Sequence, residues 1–312
     1  MSRLHRFFHT RLNLLAAAAL LAVLAGQLGS LWWPLELFSH FLPHYAALFA
    51  LAALVCRGRS RMLWTLCTAL ALGWLMANSG NNSSRDKLAA APVHTLIWHN
   101  VHLHHPDPAA AMAQFVQADM LVLAEMSADD RRWQDLAEHY PHGCAHADNG
   151  PFALALMSRA PLHTCQVQWI GDYPYIRAQL ADGTAVYALH PPPPVNADLA
   201  AARQQYLAIA AQAIAADERV LVAGDLNSSP FSPLFRQFKA DAALRPHNPY
   251  WLPTWQPLGL NIDHILSRNL GAVTVEALGF AGSDHRALRV QYSRITQNEA
   301  RQQTSRECSE VP

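Results

Sequence analysis

Charge is nearly missing from the first quarter of this chain. Between Leu12 and Met76 the charged side chains are Glu36, Arg57, Arg59 and Arg61, in a stretch otherwise rich in Leu, Ala, Trp and Phe. Such a composition cannot remain soluble by itself. The remainder lacks a positive surplus. The 312 residues carry 23 basic and 23 acidic side chains, but six of the basic and one of the acidic precede Asn78, leaving 17 against 22, a formal −5 with His neutral. Proteins that hold duplex DNA through its phosphates carry a basic footprint, so tight duplex DNA binding is not expected. Cysteine is sparse, with five in all and no Cys-x-x-Cys, which argues against a zinc or redox site built on Cys. Cys144 and Cys165 lie beyond the apolar quarter and are able to pair in an oxidising compartment, a pairing that their spacing leaves open.

The apolar quarter divides into three runs, 12–33, 38–56 and 62–77, each near the ~20 residues that a bilayer requires. A cleaved signal peptide is the competing reading of the first, since Arg3, Arg6 and Arg11 precede it and small residues stand near Ala25 and Gly26. Two more apolar runs follow, which favours a three-helix membrane anchor over 1–78. Arg3, Arg6 and Arg11 precede the first run, Arg57, Arg59 and Arg61 separate the second from the third, and the loop between the first two has no Lys or Arg. By the positive-inside rule the N-terminus and the second loop are cytoplasmic, and everything after the third span lies outside. The expected location is the inner (cell) membrane, multi-pass, with everything after the third span periplasmic. Polar residues at 79–92 read as a linker. The tail 295–312 lacks apolar periodicity and is expected to be disordered.

Between them, 93–294 reads as one domain. Strand-like runs recur at 95–100, 120–124, 152–158, 165–170, 176–180, 185–190, 220–223, 262–266, 272–278 and 288–292, with helical patterns at 108–117, 129–140, 196–217 and 232–239. Asp107 is the expected N-cap of the first helix, with Pro108 at its first position.

The most informative motif is Ala223-Gly-Asp-Leu-Asn227, reached out of the apolar run Val220-Leu-Val. Period-two alternation sends Asp225 and Asn227 to the same face of a sheet edge, where two oxygen ligands suit a hard cation. Alone, Gly-Asp-x-Asn reads equally as a turn. Its company decides: Leu121-Val-Leu-Ala-Glu125, Leu189-His190, Ile262-Asp263-His264 and Ser283-Asp284-His285. In this order, over about 95–292, these pieces resemble the endonuclease/exonuclease/phosphatase superfamily, metal-dependent phosphoesterases that include DNase I-like nucleases, sphingomyelinases and inositol polyphosphate phosphatases. Asn100 falls where the family has the Asn of its first strand, Glu125 matches its metal-binding Glu, and Leu154-Ala-Leu-Met-Ser158-Arg-Ala-Pro is similar to a further family strand.

The resemblance implies an α+β fold, a two-layered β-sandwich flanked by helices, here preceded by three transmembrane helices. It implies Mg2+, with Mn2+ as a substitute, held by Glu125 with Asp284 and Asn100. It implies His285 as general base or electrostatic partner of the phosphate, with Asp263 fixing its tautomer. His190 would bond a phosphate oxygen or protonate the leaving group, Asp225 would orient the water, Asn227 would stabilise the pentavalent state, and Arg177 would contact phosphate. Where many nucleases of the superfamily have Asn-x-Asp, this chain has Asn100-Val-His102, which leaves one or two metals open. The remaining His residues, including His99, His104, His105, His142 and His146, are irregularly spaced for zinc and are expected to face solvent. Tyr250, Trp251 and Trp255 are candidates for substrate contact or for loop packing. The expected function is membrane-anchored, magnesium-dependent hydrolysis of phosphodiesters or phosphomonoesters, on nucleic acid, lipid or small molecules. A catalytically silent scaffold is the rival reading.

Overall fold

Alternation of side chains along the strands decides where the core lies, because every second residue of a strand faces the same way. Leu96 and Trp98 on β1 (Val93–Asn100), Met120 and Val122 on β2 (Met120–Ala124), Ile176 and Ala178 on β6 (Tyr173–Gln179), and Leu221 and Ala223 on β8 (Val220–Asp225) all enter one buried cluster. That cluster is the interface of two sheets. The first has strand order β11-β12-β1-β2-β4-β3 and the second β5-β6-β7-β8-β10-β9. The remaining strands are β3 (His142–His146), β4 (Leu154–Ser158), β5 (Thr164–Ile170), β7 (Ala185–Leu189), β9 (Arg245–Pro246), β10 (Asp263–Arg268), β11 (Val273–Ala277) and β12 (Leu288–Ser293). The structure, a computed structural model, describes residues 3–77 and 93–293; the expected linker 79–92 and tail 295–312 lie outside them.

Each sheet buries its outer face under helices. On the second sheet, Tyr206, Leu207 and Ile214 of α7 (Ala197–Ala215) and Phe235 and Phe238 of α8 (Pro233–Asp241) pack on Tyr187, Leu189 and Val222. On the first, Phe115 of α5 (Pro108–Phe115) and Leu136 of α6 (Asp135–His139) cover Ile97, Leu121 and Leu123. Asp107 caps α5 through the amide of Ala110 at 3.3 Å. The sandwich with flanking helices therefore agrees with the expected fold. Among the described residues only β1 with β2 and β7 with β8 pair in parallel, and their carboxyl ends open at the same end of the sandwich.

Two elements differ from expectation. The helix expected over 129–140 breaks into a 3-10 turn, Arg131–Trp133, and the short α6, because Asp130 caps the turn and binds the guanidinium of Arg132 at 2.7 Å. The segment His142–His146, lacking β-branched residues, is a strand because β4 pairs with all of it. It is also stapled: Cys144 on β3 and Cys165 on β5 form a disulfide with Cα atoms 5.7 Å apart, joining an edge of one sheet to an edge of the other.

The apolar quarter forms α1 (Arg3–Gly26), α2 (Trp33–Leu37), a 3-10 turn (Phe38–Phe41), α3 (Leu42–Val55) and α4 (Gly58–Met76). Two stretches are long and apolar enough to cross a membrane, Phe7–Gly26 and Trp33–Val55. The expected third span is a helix, but not apolar enough to count, because Arg59 and Arg61 occupy its first turn and Thr65, Thr68 and Gly73 dilute the rest. The second is interrupted: Pro34 and Pro43 start new helices, and α3 alone has 14 residues, about 21 Å at 1.5 Å per residue. The three long helices pack as a bundle with two distinct ends. At one end the amide of Arg57 donates to His9 at 3.3 Å, and Trp64 Nε1 donates to Asn13 at 2.7 Å. At the other, Trp74 meets Phe231 of the sandwich edge-on at 5.6 Å, and Phe231 meets Tyr250. Arg57, between α3 and α4, and Arg59 and Arg61 in the first turn of α4 thus stand at the end opposite the sandwich.

The disulfide closes a loop spanning 21 positions, a constraint worth about 3 kcal/mol through the entropy of the unfolded chain. Cys144→Ser is expected to lower the melting temperature by roughly 6–12 °C and to abolish the effect of reductant. Thermal unfolding with and without dithiothreitol checks this, and equal melting temperatures contradict it.

Candidate active site

The carboxyl ends of β1, β2, β7 and β8 deliver Asn100, Glu125, His190 and Asp225 to one end of the sandwich, and antiparallel β10 begins there with Asp263. Register brings Asp263 directly opposite Asp225. Gly224 permits the close approach of β7 and β8, since a Cβ at this position would lie 2.3 Å from the carbonyl oxygen of Leu189. The loop before β12 brings in Asp284 and His285.

Asp263 is sealed from water and both its oxygens are engaged. Trp98 Nε1 donates to Oδ1 at 2.9 Å and His285 Nδ1 to Oδ2 at 2.9 Å. Its own amide donates to Thr254 Oγ1 at 3.0 Å. Burial alone would raise this carboxyl, yet His285, Trp98 and Thr254 together hold it below the usual carboxylate range. His285 is its counterpart. Burial would depress the imidazole, but Asp263, Asp225 and Asp284 outweigh burial and push it up to about 10. The backbone of His285 is fixed as well: its amide donates to Ser283 Oγ at 2.9 Å, and Ser283 Oγ donates to the carbonyl of Asn100 at 2.7 Å.

With Nδ1 committed to Asp263, Nε2 of His285 faces Asp225 Oδ2 at 3.8 Å and Asp284 Oδ1 at 3.9 Å. His190 Nε2 lies 3.8 Å from Glu125 Oε1 and 3.9 Å from Asp225 Oδ2. Burial keeps His190 below its usual range. Asn100 Nδ2 joins the two carboxylates, donating to Glu125 Oε1 at 2.9 Å and more weakly to Asp225 Oδ2 at 3.4 Å. Glu125 Oε2 accepts from the amide of Leu103 at 2.9 Å. Asp225, buried and opposite Asp263, is raised to about 7. Seven of the nine expected side chains therefore converge on one site.

Asn227 stands at its edge. Its amide donates to Asp225 Oδ1 at 2.8 Å and its side chain to the carbonyl of Pro191 at 3.0 Å. Four of the seven non-glycine residues with left-handed backbone among those described, His102, His104, Glu125 and Asn227, belong to this end of the sandwich. Such conformations persist only where the surroundings over-determine them.

Arg177 is elsewhere. It forms a bidentate pair with Asp217, at 2.8 and 2.5 Å, on the helix-covered face of the second sheet, so the expected phosphate contact is corrected to a structural ion pair. The expectation of solvent-facing histidines fails for His99 and His105, both buried. His99 Nε2 lies 3.2 Å from the carbonyl oxygen of His285 and supports the loop that carries it. Trp98 was not singled out as a site residue, although it shares its strand face with Asn100 by period two. Trp255 packs in the loop and donates to Asp284 Oδ2 at 2.8 Å, while His102 Nδ1 lies 3.3 Å from Asp284 Oδ1.

Asp225, Asp263 and His285 offer ligand atoms within 4.8 Å of one another. Asp263 is a poor ligand, since Trp98 and His285 occupy its oxygens. The donors better suited to a hard cation are Glu125 and Asp225, with Asn100 between them, and Asp225, raised first by burial and then by the neighbouring charge of Asp263, is a carboxylate whose charged form a divalent cation would stabilise.

Among solved structures of similar shape are a 3′ phosphatase from Neisseria bound to a product DNA hairpin, at 17% identity over 64% of this chain and 99% of that one with TM-score 0.53, and an endonuclease/exonuclease/phosphatase from Beutenbergia cavernae, at 18%, 65%, 72% and 0.51. Sphingomyelinase C from Streptomyces griseocarneus has the same arrangement at 17% identity over 64% of this chain and 99% of that one, with TM-score 0.50. No curated protein matches the sequence. The model of the endonuclease/exonuclease/phosphatase family matches residues 80–285, about two thirds of the chain, and the protein belongs to that family.

Proposed function

We propose that this protein is a membrane-anchored, magnesium-dependent phosphoester hydrolase working on the extracytoplasmic side of the inner membrane. The observation that carries the reading is the convergence of Glu125, Asp225, His190 and the Asp263–His285 pair at one end of the sandwich. Glu125, with Asn100 beside it and Asp284 next to His285, would hold Mg2+ or Mn2+. When bound, the cation supplies a charge clamp on the phosphate and stabilises the developing negative charge.

Charge divides the remaining roles. An imidazole raised to about 10 is protonated at neutral pH, so His285 acts as an electrostatic partner of the phosphate and not as the base. Asp225, raised to about 7, orients the attacking water and takes its proton. As the water oxygen bonds to phosphorus, the bond to the leaving oxygen breaks. His190, kept neutral by burial, donates from Nε2 to a phosphate oxygen, and Asn227 lies beside the pentavalent state.

Two observations support the location. The apolar helices keep their surface exposed, with 11% of the first candidate span and 33% of the second buried. Leu14, Leu21, Leu54 and Leu70 are all more than half exposed, an apolar surface that suits lipid and not water. The arginine-bearing turn between α3 and α4 lies opposite the sandwich, and a disulfide suits an oxidising compartment. The −5 charge after Asn78 favours a lipid or a small phosphodiester over duplex DNA.

The full-length protein in detergent micelles, given bis-p-nitrophenyl phosphate, is expected to turn over with Mg2+ or Mn2+ and to stop with EDTA. His285→Ala and Asp225→Asn should each reduce kcat by about 10²–10³-fold, while Arg177→Ala leaves it within about twofold. Metal-independent turnover, or none across a panel of phosphodiesters, lipids and oligonucleotides, contradicts the proposal.

The pH profile follows from the same charges. Activity should fall as pH drops through the pKa of Asp225 and again as pH rises far enough to deprotonate His285. A kcat profile between pH 5 and 10 with Mg2+ checks this bell shape; an acid limb that persists in Asp225→Asn contradicts the assignment of the base.

A further inference from the structure

Glu36 belongs to the apolar quarter, yet it is buried against the sandwich, 3% exposed. Its Oε2 pairs with Nη2 of Arg203 on α7, itself 1% exposed. Its Oε1 accepts from Ser232 Oγ at 2.5 Å and lies 3.4 Å from Ser228 Oγ. Arg203 passes the connection on, donating from Nη1 to the carbonyl oxygen of Asn227. One turn further, His40 Nδ1 accepts from the amide of Ser229 at 3.2 Å and lies 2.9 Å from its hydroxyl. The segment these groups hold, 226–232, directly follows Asp225 and carries Asn227 in its left-handed conformation. From the opposite side it is held by His264, whose Nε2 lies 2.7 Å from the carbonyl of Ser228.

A passive tether has no need of this. Apolar contact suffices to seat helices on a domain, and Trp74 against Phe231 supplies it. A buried carboxylate and a buried guanidinium are costly to desolvate and stay only when each satisfies the other. All of Glu36's partners either lie in the one loop that follows the catalytic Asp225 or bond to it. We propose that the anchor is a working part of the active site: Glu36, assisted by His40, is a positioning residue that holds the Asp225–Asn227 loop in its catalytic shape, directly through Ser228 and Ser232 and indirectly through Arg203. This rests on the roles given above to Asp225 and Asn227. It follows that a sandwich freed from residues 1–77 retains Glu125, Asp263 and His285 but leaves the charge of Arg203 buried without its partner.

The test compares kcat and KM of full-length protein in detergent, with bis-p-nitrophenyl phosphate and Mg2+. Glu36→Ala is expected to lower kcat by about 10- to 100-fold with KM little changed, and Glu36→Gln, which keeps the bonds to the serines, to recover part of the loss. If Glu36 acts through the loop, Glu36→Ala combined with Asn227→Ala is no slower than Asn227→Ala alone. Glu36→Leu with Arg203→Met removes both charges at similar volume and guards against a variant that fails to fold. With its melting temperature kept, the double variant should remain slow. Wild-type kcat in Glu36→Ala, full kcat in the charge-free double variant, or multiplying losses with Asn227→Ala would each overturn the positioning role. An inactive wild type would instead overturn the hydrolase reading, and this inference with it.

Discussion

A carboxylate sealed between two sheets holds the site together. Asp263 comes from β10 of the second sheet, and its two oxygens accept from Trp98 on β1 of the first sheet and from His285 beside β12. A buried carboxylate is tolerable only when its lone pairs are engaged, so this group makes the spacing of the sheets and the orientation of the imidazole one problem with one solution. Everything at the open end is measured from there. His285 directs Nε2 at Asp225, Asp225 lies opposite Asp263 in the register, and Asn100 and His190 connect Asp225 to Glu125. Losing His285 would leave the buried Asp263 carboxylate without its counter-charge, and losing Trp98 would leave one of its oxygens without a donor.

The same economy of buried polar groups links the anchor to the sandwich. Glu36 and Arg203 are as far from water as the side chains of the hydrophobic core, and their partners converge on the loop after β8. The chain therefore has two polar knots. One lies between the sheets at Asp263, the other between the anchor and α7, and the strand end with Asp225 and Asn227 is shared by both. The apolar N-terminal helices and the strand end with Asp225 are thus connected through a few buried polar bonds.

Much of this was legible in the sequence, and the unread parts have physical causes. Ten strands announce themselves as apolar runs; β3 and the two-residue β9 do not, and His142-Gly-Cys-Ala-His carries its β conformation from its neighbour β4 and its disulfide. The site residues were readable because each sits at the end of an apolar run, where a polar side chain has a small set of explanations. Arg177 was misleading for the converse reason: a strand Arg reads the same whether it meets a phosphate or an Asp217 that lies 40 residues away. His99 and His105 looked like solvent-facing histidines because local spacing says nothing of burial. Glu36 was visible as the lone acid in an apolar quarter, but its partner Arg203 lies 167 positions on, and only the folded chain brings the two together. The third apolar run reads as a span by length, whereas Arg59, Arg61 and its threonines weaken it by composition.

The central claim is that these side chains enclose one divalent cation. The most direct measurement is a crystal structure of the full-length protein soaked in Mn2+, with anomalous difference density located at the manganese edge. The account predicts a strong peak bonded to a carboxylate oxygen of Glu125 and facing Asp225, with the Asp263–His285 bond intact. A site left without density at saturating Mn2+, or a peak bound elsewhere with Glu125 uncoordinated, would contradict it.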